Sequence, residues 1–256
     1  MLDWLAFTAR RPLYNTYAGY WVYTHILLNR GERNFGKIRM LKNGEYRFLL
    51  TGYPRSGNTY LTSMVRQVLQ VEDFGHHMHT RLALKIALDT GLRVYVVFRS
   101  PMESVMSLIL LNSNRAKNYV RFRWMESAYS LQYSLLLLYL REYIHYHEYV
   151  ISKSNQIKLI SSESAFSCTK DILACIASEN RLNVSETDSD RLSRAREAFL
   201  DRKNDTKEDK LIAGAPNAQK EAAKQNLHEM VGDHPLMQSA NDVFKRMEET
   251  SDHGRR

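Results

Sequence analysis

Apolar and polar positions along the first two thirds of the chain fall into short blocks with two different periods. Between Glu45 and Thr51 the run Tyr46-Arg47-Phe48-Leu49-Leu50 has the pattern of a buried strand, whereas Leu61, Met64, Val65 and Val68 recur at helical spacing between Thr59 and Gln70. A turn containing glycine and proline joins them. The grammar then repeats: Arg93 to Phe98 is a β-branched, aromatic strand, and Ser100-Pro101-Met102-Glu103 opens a helix. Ser100 is the expected N-cap, Pro101 fits the first helical position, and Glu103 is placed to complete a capping box. Between these units, Arg81 to Leu88 is helix-like and ends at Gly91. Trp124 to Tyr149, rich in leucine and tyrosine and without glycine or proline, predicts one or two core-covering helices. Ile157 to Ile160 predicts a third strand, and Thr169 to Ala177 a further helix.

Strand and helix in close succession predict an α/β fold, a central parallel sheet flanked by helices with right-handed crossovers. Functional residues are then expected at the carboxyl ends of the strands. A chain of 256 residues with 44% hydrophobic content can bury a full core. Residues 45–245 are expected to form the main domain. Residues 1–44 read as an aromatic and basic helical segment packing on that core, and 246–256 as a disordered tail. From Glu179 onward the chain turns polar, with 203–210 a solvated charge run and Gly214-Ala215-Pro216 a turn.

Near the N-terminus Tyr14, Tyr17, Tyr20 and Tyr23 follow helical spacing beside Trp21, flanked by Arg10, Arg11 and Arg30. This stripe suits packing on the core or on a second copy in a homodimer. An interfacial membrane patch is the other reading. The apolar run from Ala18 to Leu28 falls short of the ~20 residues a transmembrane helix needs, and no cleaved secretion signal is evident. Only Cys168 and Cys175 occur, in no metal-ligand spacing; a reducing, cytoplasmic setting with structural thiols is expected, with peripheral membrane contact left open. The net charge of +8 directs attention to anionic partners without choosing among them.

The sharpest signal is Gly52-Tyr53-Pro54-Arg55-Ser56-Gly57-Asn58-Thr59, two glycines five apart with a hydroxyl residue closing the turn between strand and helix. In such loops successive backbone N–H groups and the helix N-terminus converge on phosphate oxygens. The lysine that reaches the β- and γ-phosphates in nucleoside triphosphatases is replaced by Asn58, which disfavours ATP or GTP hydrolysis. The cation sits instead at Arg55, inside the loop.

These residues resemble the 5′-phosphosulfate-binding loop of the sulfotransferases that use 3′-phosphoadenosine-5′-phosphosulfate (PAPS), commonly Tyr-Pro-Lys/Arg-Ser-Gly-Thr-Thr-Trp. Asn58 departs from that form, and Tyr60 replaces its tryptophan. Tyr95-Val96-Val97-Phe98-Arg99-Ser100-Pro101 followed by Ser107 is similar to the family's 3′-phosphate-binding unit, in which an arginine and a serine eight residues later hold the phosphate. The resemblance, which covers about residues 46–176, implies a P-loop-like sulfotransferase fold. It also implies a donor site of Arg55, Ser56, Gly57, Asn58, Thr59, Tyr60, Arg99 and Ser107, Tyr60 stacking on adenine. The family's catalytic histidine lies about twenty residues before the arginine. His79 occupies that place, with His77 second and His76 nearby.

Looser echoes place Ser162 or Glu163 near the nucleotide and let Lys220 or Lys224 reach the donor. The mechanism so implied is in-line displacement at sulfur, with His79 as general base towards an acceptor hydroxyl and Arg55 stabilising charge on the departing phosphate. No metal is expected. The three histidines raise metal binding as an alternative, without a carboxylate or cysteine at ligand spacing to support it. The acceptor, a glycan, glycolipid, phenol or small alcohol, is not identified, and nucleic acid is not an expected partner. A P-loop nucleotide or small-molecule kinase is the rival reading in the same fold class. A non-catalytic basic module binding anions, its charge displayed at Arg115, Lys117, Arg121 and Arg123, is the rival from another class.

Overall fold

The computed structural model describes residues 31–117, 128–182, 189–204 and 218–253. Its centre is a four-stranded parallel sheet of β1 (Phe48–Gly52), β2 (Gly75–His76), β3 (Arg93–Phe98) and β4 (Ile157–Ser161), in the order β2-β1-β3-β4. Leu49 is in register with Gly75 and Val94, and Val96 with Leu159. The α/β fold with a parallel central sheet flanked by helices is therefore as expected.

β1 is buried throughout, and so is β3 after Arg93, because helices cover both faces. Alternation divides the apolar residues between two cores. Phe48, Leu50, Tyr95 and Val97 point into one, with α2 (Asn58–Met64), α7 (Thr169–Glu179) and α8 (Ser189–Asn204). Leu49, Val94, Val96 and Phe98 point into the other. That second core is covered by α1 (Gly31–Lys42), α3 (Arg81–Asp89), α4 (Pro101–Lys117), α5 (Ala128–Ile151), α9 (Ala218–Glu229) and α10 (Pro235–His253). Burying each large apolar side chain contributes about 1.5–3 kcal/mol.

The helix following β1 and the helix following β3 thus lie on opposite faces. β1 and β3 are neighbours from which the chain moves outward to β2 on one side and β4 on the other. That is a topological switch point, and in parallel sheets such a point places a crevice at the carboxyl ends of the diverging strands, here β1 and β3. Both candidate anion-binding turns are there.

Several boundaries differ from expectation. β2 is two residues long, too short to leave a hydrophobic period, and lies where the sequence shows only a histidine-rich loop. The helix after the phosphate loop changes to a π-helical turn at Val65–Leu69 and stops at Gln70, whose φ is 56°. The C-terminal tail expected at 246–256 is a helix as far as His253; Met247 and Ser251 are buried because α10 packs against α5 and β4. The polar composition of that stretch hid an amphipathic helix whose Met237, Ala240, Val243 and Met247 repeat at helical spacing and are all buried. Residues 1–30, with the aromatic stripe, and residues 205–217 lie outside the described residues. Among the described residues no helix is long and apolar enough to cross a membrane.

Candidate functional site

The phosphate loop is shaped by what glycine permits. An added Cβ at Gly52 would lie 2.2 Å from the Val97 carbonyl oxygen and 2.6 Å from Ser56 Oγ, so only glycine lets β1 end this close to β3. Ser56 is fully buried; its hydroxyl donates to the Tyr53 carbonyl at 2.6 Å and its N–H to the same oxygen at 3.2 Å, which closes the turn from inside. Arg55 has φ 68° and Gly57 has φ 92°. A left-handed arginine costs about 1–2 kcal/mol, and strain of this kind accumulates where a turn is shaped for a task. Alternating backbone hands turn neighbouring N–H groups into one concavity. At the start of α2, Gly57 is the N-cap and provides no side-chain cap bond. The first N–H groups of a helix have no partner within it.

The turn after β3 is built the other way. Ser100 Oγ accepts from the Glu103 N–H at 3.3 Å, and the Ser100 carbonyl accepts from the N–H and hydroxyl of Ser104 at 3.0 and 2.8 Å. The expected N-cap is therefore present. The Glu103 carboxylate, expected to close a capping box, goes to Arg99 and Lys224.

A side chain joins the turns. Arg55 Nε donates to Ser107 Oγ at 2.9 Å, and Ser107 is 2% exposed on α4. Two motifs 52 residues apart thus meet in one place. Beneath them lies an aromatic cluster from α5. Tyr53 donates its hydroxyl to the Tyr139 carbonyl at 3.1 Å, and its ring meets Tyr143 edge-on at 5.3 Å. The Tyr143 hydroxyl in turn donates to the Arg99 carbonyl at 2.8 Å. His147 lies against Tyr143 with ring centres 4.0 Å apart and tilted by 43°, and donates from Nδ1 to the Tyr143 carbonyl. Its Nε2 is buried without a partner among the described residues. Burial pushes the His147 pKa down to about 4 against the upward pull of that backbone bond.

His79 is held at the same crevice by three anchors. Thr51 Oγ1 donates to the Met78 carbonyl at 2.9 Å, and Thr80 caps α3 by accepting from the Ala83 N–H at 3.2 Å. His79 Nδ1 lies 2.6 Å from the Gly52 carbonyl oxygen. A carbonyl only accepts, so Nδ1 carries the proton and Nε2 is the basic nitrogen. Asn58, 3% exposed, places Nδ2 3.4 Å from the same ring nitrogen. Asn58 is thus packed against the histidine, a pairing that sequence spacing does not show.

His77 is displaced from this arrangement. It has φ 55° and is exposed, with its ring 5.8 Å from that of His79. Desolvation first, then the neighbouring His79 and His76, lowers its pKa, and its exposure to water limits how far. His76 takes part in other bonds, Nδ1 to the Phe74 carbonyl at 3.2 Å and Nε2 with Arg66 Nη2 at 3.3 Å. Among the described residues no group of three or more histidine, cysteine, aspartate or glutamate side chains is arranged to hold a metal ion.

Tyr60 is not where an adenine would stack. It is 5% exposed, and its ring is covered by Phe166 at 4.3 Å and met edge-on by Phe199 at 5.2 Å. Its hydroxyl accepts from Arg196 Nε and contacts Thr169 Oγ1, both at 3.0 Å. The helical period of α2 turns this position into the core, which the local motif could not reveal. Phe166, 48% exposed, carries the open aromatic face beside the loop. A Cβ placed on Gly57 would be 3.8 Å from it and 3.6 Å from Ser162, so Ser162 borders the loop. Glu163 is exposed in the first turn of α6 (Ser162–Ser167), and Thr59 is exposed too.

Lys224 does not point to the crevice. It is 2% exposed and donates to Glu103 Oε2 at 2.7 Å and to both Glu221 oxygens at 2.8 and 2.9 Å. The side chains of Lys220, Arg115 and Lys117, together with Arg121 and Arg123, lie outside the described residues. The cysteines are not core thiols: Cys168 is exposed, and Cys175 is half-buried with its sulfur 2.7 Å from Lys158 Nζ. The chain matches no protein-family model, no curated protein and no solved structure.

Proposed function

We propose that the chain is a sulfotransferase that takes a sulfuryl group from PAPS and passes it to an acceptor hydroxyl. The observation that carries this reading is the Arg55–Ser107 bond, which draws the phosphosulfate-type loop and the 3′-phosphate-type helix into one crevice at the switch point. A nucleotide with phosphates at both ends of its ribose needs two anion sites a short distance apart. The residues fit such a group: a glycine-shaped turn with backbone donors on one side, and Arg99, Ser107 and Arg55 side chains on the other. When bound, PAPS would supply an activated sulfuryl group with a good leaving phosphate.

The remaining work falls to the chain. Arg55 and the loop N–H groups stabilise negative charge that grows on an oxygen in the crevice. His79 accepts the acceptor's proton at Nε2, and its Nδ1–H bond to the Gly52 carbonyl stabilises the imidazolium that results. Asn58 packs against the ring beside that same nitrogen. His79 is the base in this reading because its ring is fixed on the loop itself, whereas that of His77 is not. Arg99 and Ser107 hold the nucleotide without touching the reacting atom. The substrate class is a hydroxyl-bearing acceptor, a glycan, glycolipid or small alcohol.

Radiolabelled donor, incubated with a panel of such acceptors, tests the proposal. The wild type transfers label to at least one class, and His79→Ala lowers kcat by roughly 100-fold or more. Magnesium-dependent ATP consumption without label transfer would establish the kinase reading instead. Salt-sensitive anion binding with neither activity would establish the binding module.

A further inference from the structure

Glu103 and Lys224 form a relay behind Arg99, with the lysine buried. Arg99 Nη2 and Lys224 Nζ both donate to Glu103 Oε2 at 2.7 Å, and Glu221 accepts from Lys224 on the far side. Arg99 and Glu103 are about one-third exposed, whereas the Lys224 side chain is 3% exposed. Taking an ammonium group out of water is costly unless its partners compensate. Here two carboxylates meet it, and α9, which carries it, packs on α4. Two cations, Arg99 and Lys224, thus face two anions, Glu103 and Glu221.

The arrangement matters because of where Arg99 stands. A carboxylate at hydrogen-bond distance from a phosphate-binding guanidinium has two opposed effects. It orients the planar fork, one bond through Nη2 using one of five donors. It also repels an incoming phosphate. A second cation on the same carboxylate oxygen keeps the first effect and cancels the second.

We infer that Glu103 and Lys224 are positioning residues that orient Arg99 and neutralise its carboxylate partner, and so set the preference for nucleotides carrying a 3′-phosphate. This inference rests on the sulfotransferase reading and adds to it a determinant of donor selectivity in helix α9. It also explains why Glu103, at the capping-box position, directs its carboxylate to the two cations. Neither residue touches the ligand; both act through Arg99.

Calorimetric titration with adenosine 3′,5′-bisphosphate and with adenosine 5′-phosphate separates these roles from mere scaffolding. Lys224→Met removes one of the two cations on Glu103 Oε2, so that more of its negative charge faces the phosphate held by Arg99; affinity for the bisphosphate falls about tenfold while affinity for the monophosphate changes less than about twofold. Adding Glu103→Gln to Lys224→Met removes the stranded charge and restores the bisphosphate to within about threefold of wild type. Equal loss for both nucleotides, an unchanged bisphosphate affinity, or no restoration in the double variant would overturn the inference while leaving the functional reading intact. A wild type that does not prefer the bisphosphate would overturn both. If Lys224→Met does not fold, two charge-balanced double variants decide: Glu103→Gln/Lys224→Met keeps an acceptor for Arg99 and holds bisphosphate affinity within about threefold of wild type, whereas Glu103→Ala/Lys224→Met loses it and binds the bisphosphate several-fold more weakly with the monophosphate unchanged; equal bisphosphate affinity in the two refutes the inference.

Discussion

The turns after β1 and β3 start from the same plan, strand into helix at the carboxyl edge of a parallel sheet, and end with opposite chemistry. After β1 the helix begins on Gly57, in a left-handed conformation and with no side-chain cap. After β3 it begins on Ser100, whose own oxygens take up the first donors. The first turn therefore offers backbone N–H groups to an outside anion. The second satisfies its backbone internally and presents side chains, Arg99 and Ser107, in its place. A helix start whose N-cap has no side-chain acceptor leaves its first N–H groups open to an outside acceptor, which is the role proposed for the β1 turn, and the neighbouring turn shows the same topology with that acceptor kept.

Gly52→Ala breaks this pair most severely. Its methyl group would meet backbone at 2.2 Å, where nothing can yield, so the β1 turn and the β1–β3 pairing separate. A loss of ~3 kcal/mol or more is expected, read as the free energy of urea unfolding. Acid comes next, because the aromatic cluster under both turns contains His147. Its folded pKa, about 4, lies below the ordinary 6.5, so the unfolded chain binds the extra proton. The stabilising contribution is intact above pH 6.5 and is lost as pH falls towards 4, by up to ~3 kcal/mol. Thermal melts across that range should flatten in His147→Phe; an unchanged slope would show that other groups govern it.

Smaller substitutions separate the turns from each other. Gly57→Ala has room for its methyl group, with the nearest atom at 3.6 Å, but forces a side chain into φ 92°. The expected cost is about 1–2 kcal/mol of stability, with weakened nucleotide binding because the concavity must change shape. Ser100→Ala removes a cap, costs ~1 kcal/mol in stability, and leaves the β1 loop's share of binding untouched. If Ser100→Ala weakened binding as much as Gly57→Ala, the contrast between the turns would fail.

Three of the four strands and most of the helices were legible because Leu49, Leu50 and Val94 to Phe98 carry unbroken apolar runs and Leu61, Met64 and Val65 a helical period. The strand–turn–helix form around Gly52–Thr59 and around Arg99–Pro101 was legible from local pattern. What was not legible depends on contacts made across the fold. Tyr60 sits in a binding motif, yet the turn of α2 points it at Phe199, 139 residues away. Asn58 looks like a defect in the loop until His79 is found against it. Lys224 looks like a cation reaching for the donor, and only packing shows it committed to Glu103. The helix to His253 was hidden because charged residues on its open face outweigh four buried apolar positions in a composition average.

The central claim is that both turns serve one ligand. Calorimetric titration of adenosine 3′,5′-bisphosphate into wild type, Arg55→Ala and Arg99→Ala tests it most directly. The account predicts a single site in the wild type and a weakening of about tenfold or more in each variant, one from each turn. Binding that survives both substitutions, or a site that takes magnesium ATP in preference to the bisphosphate, would contradict it.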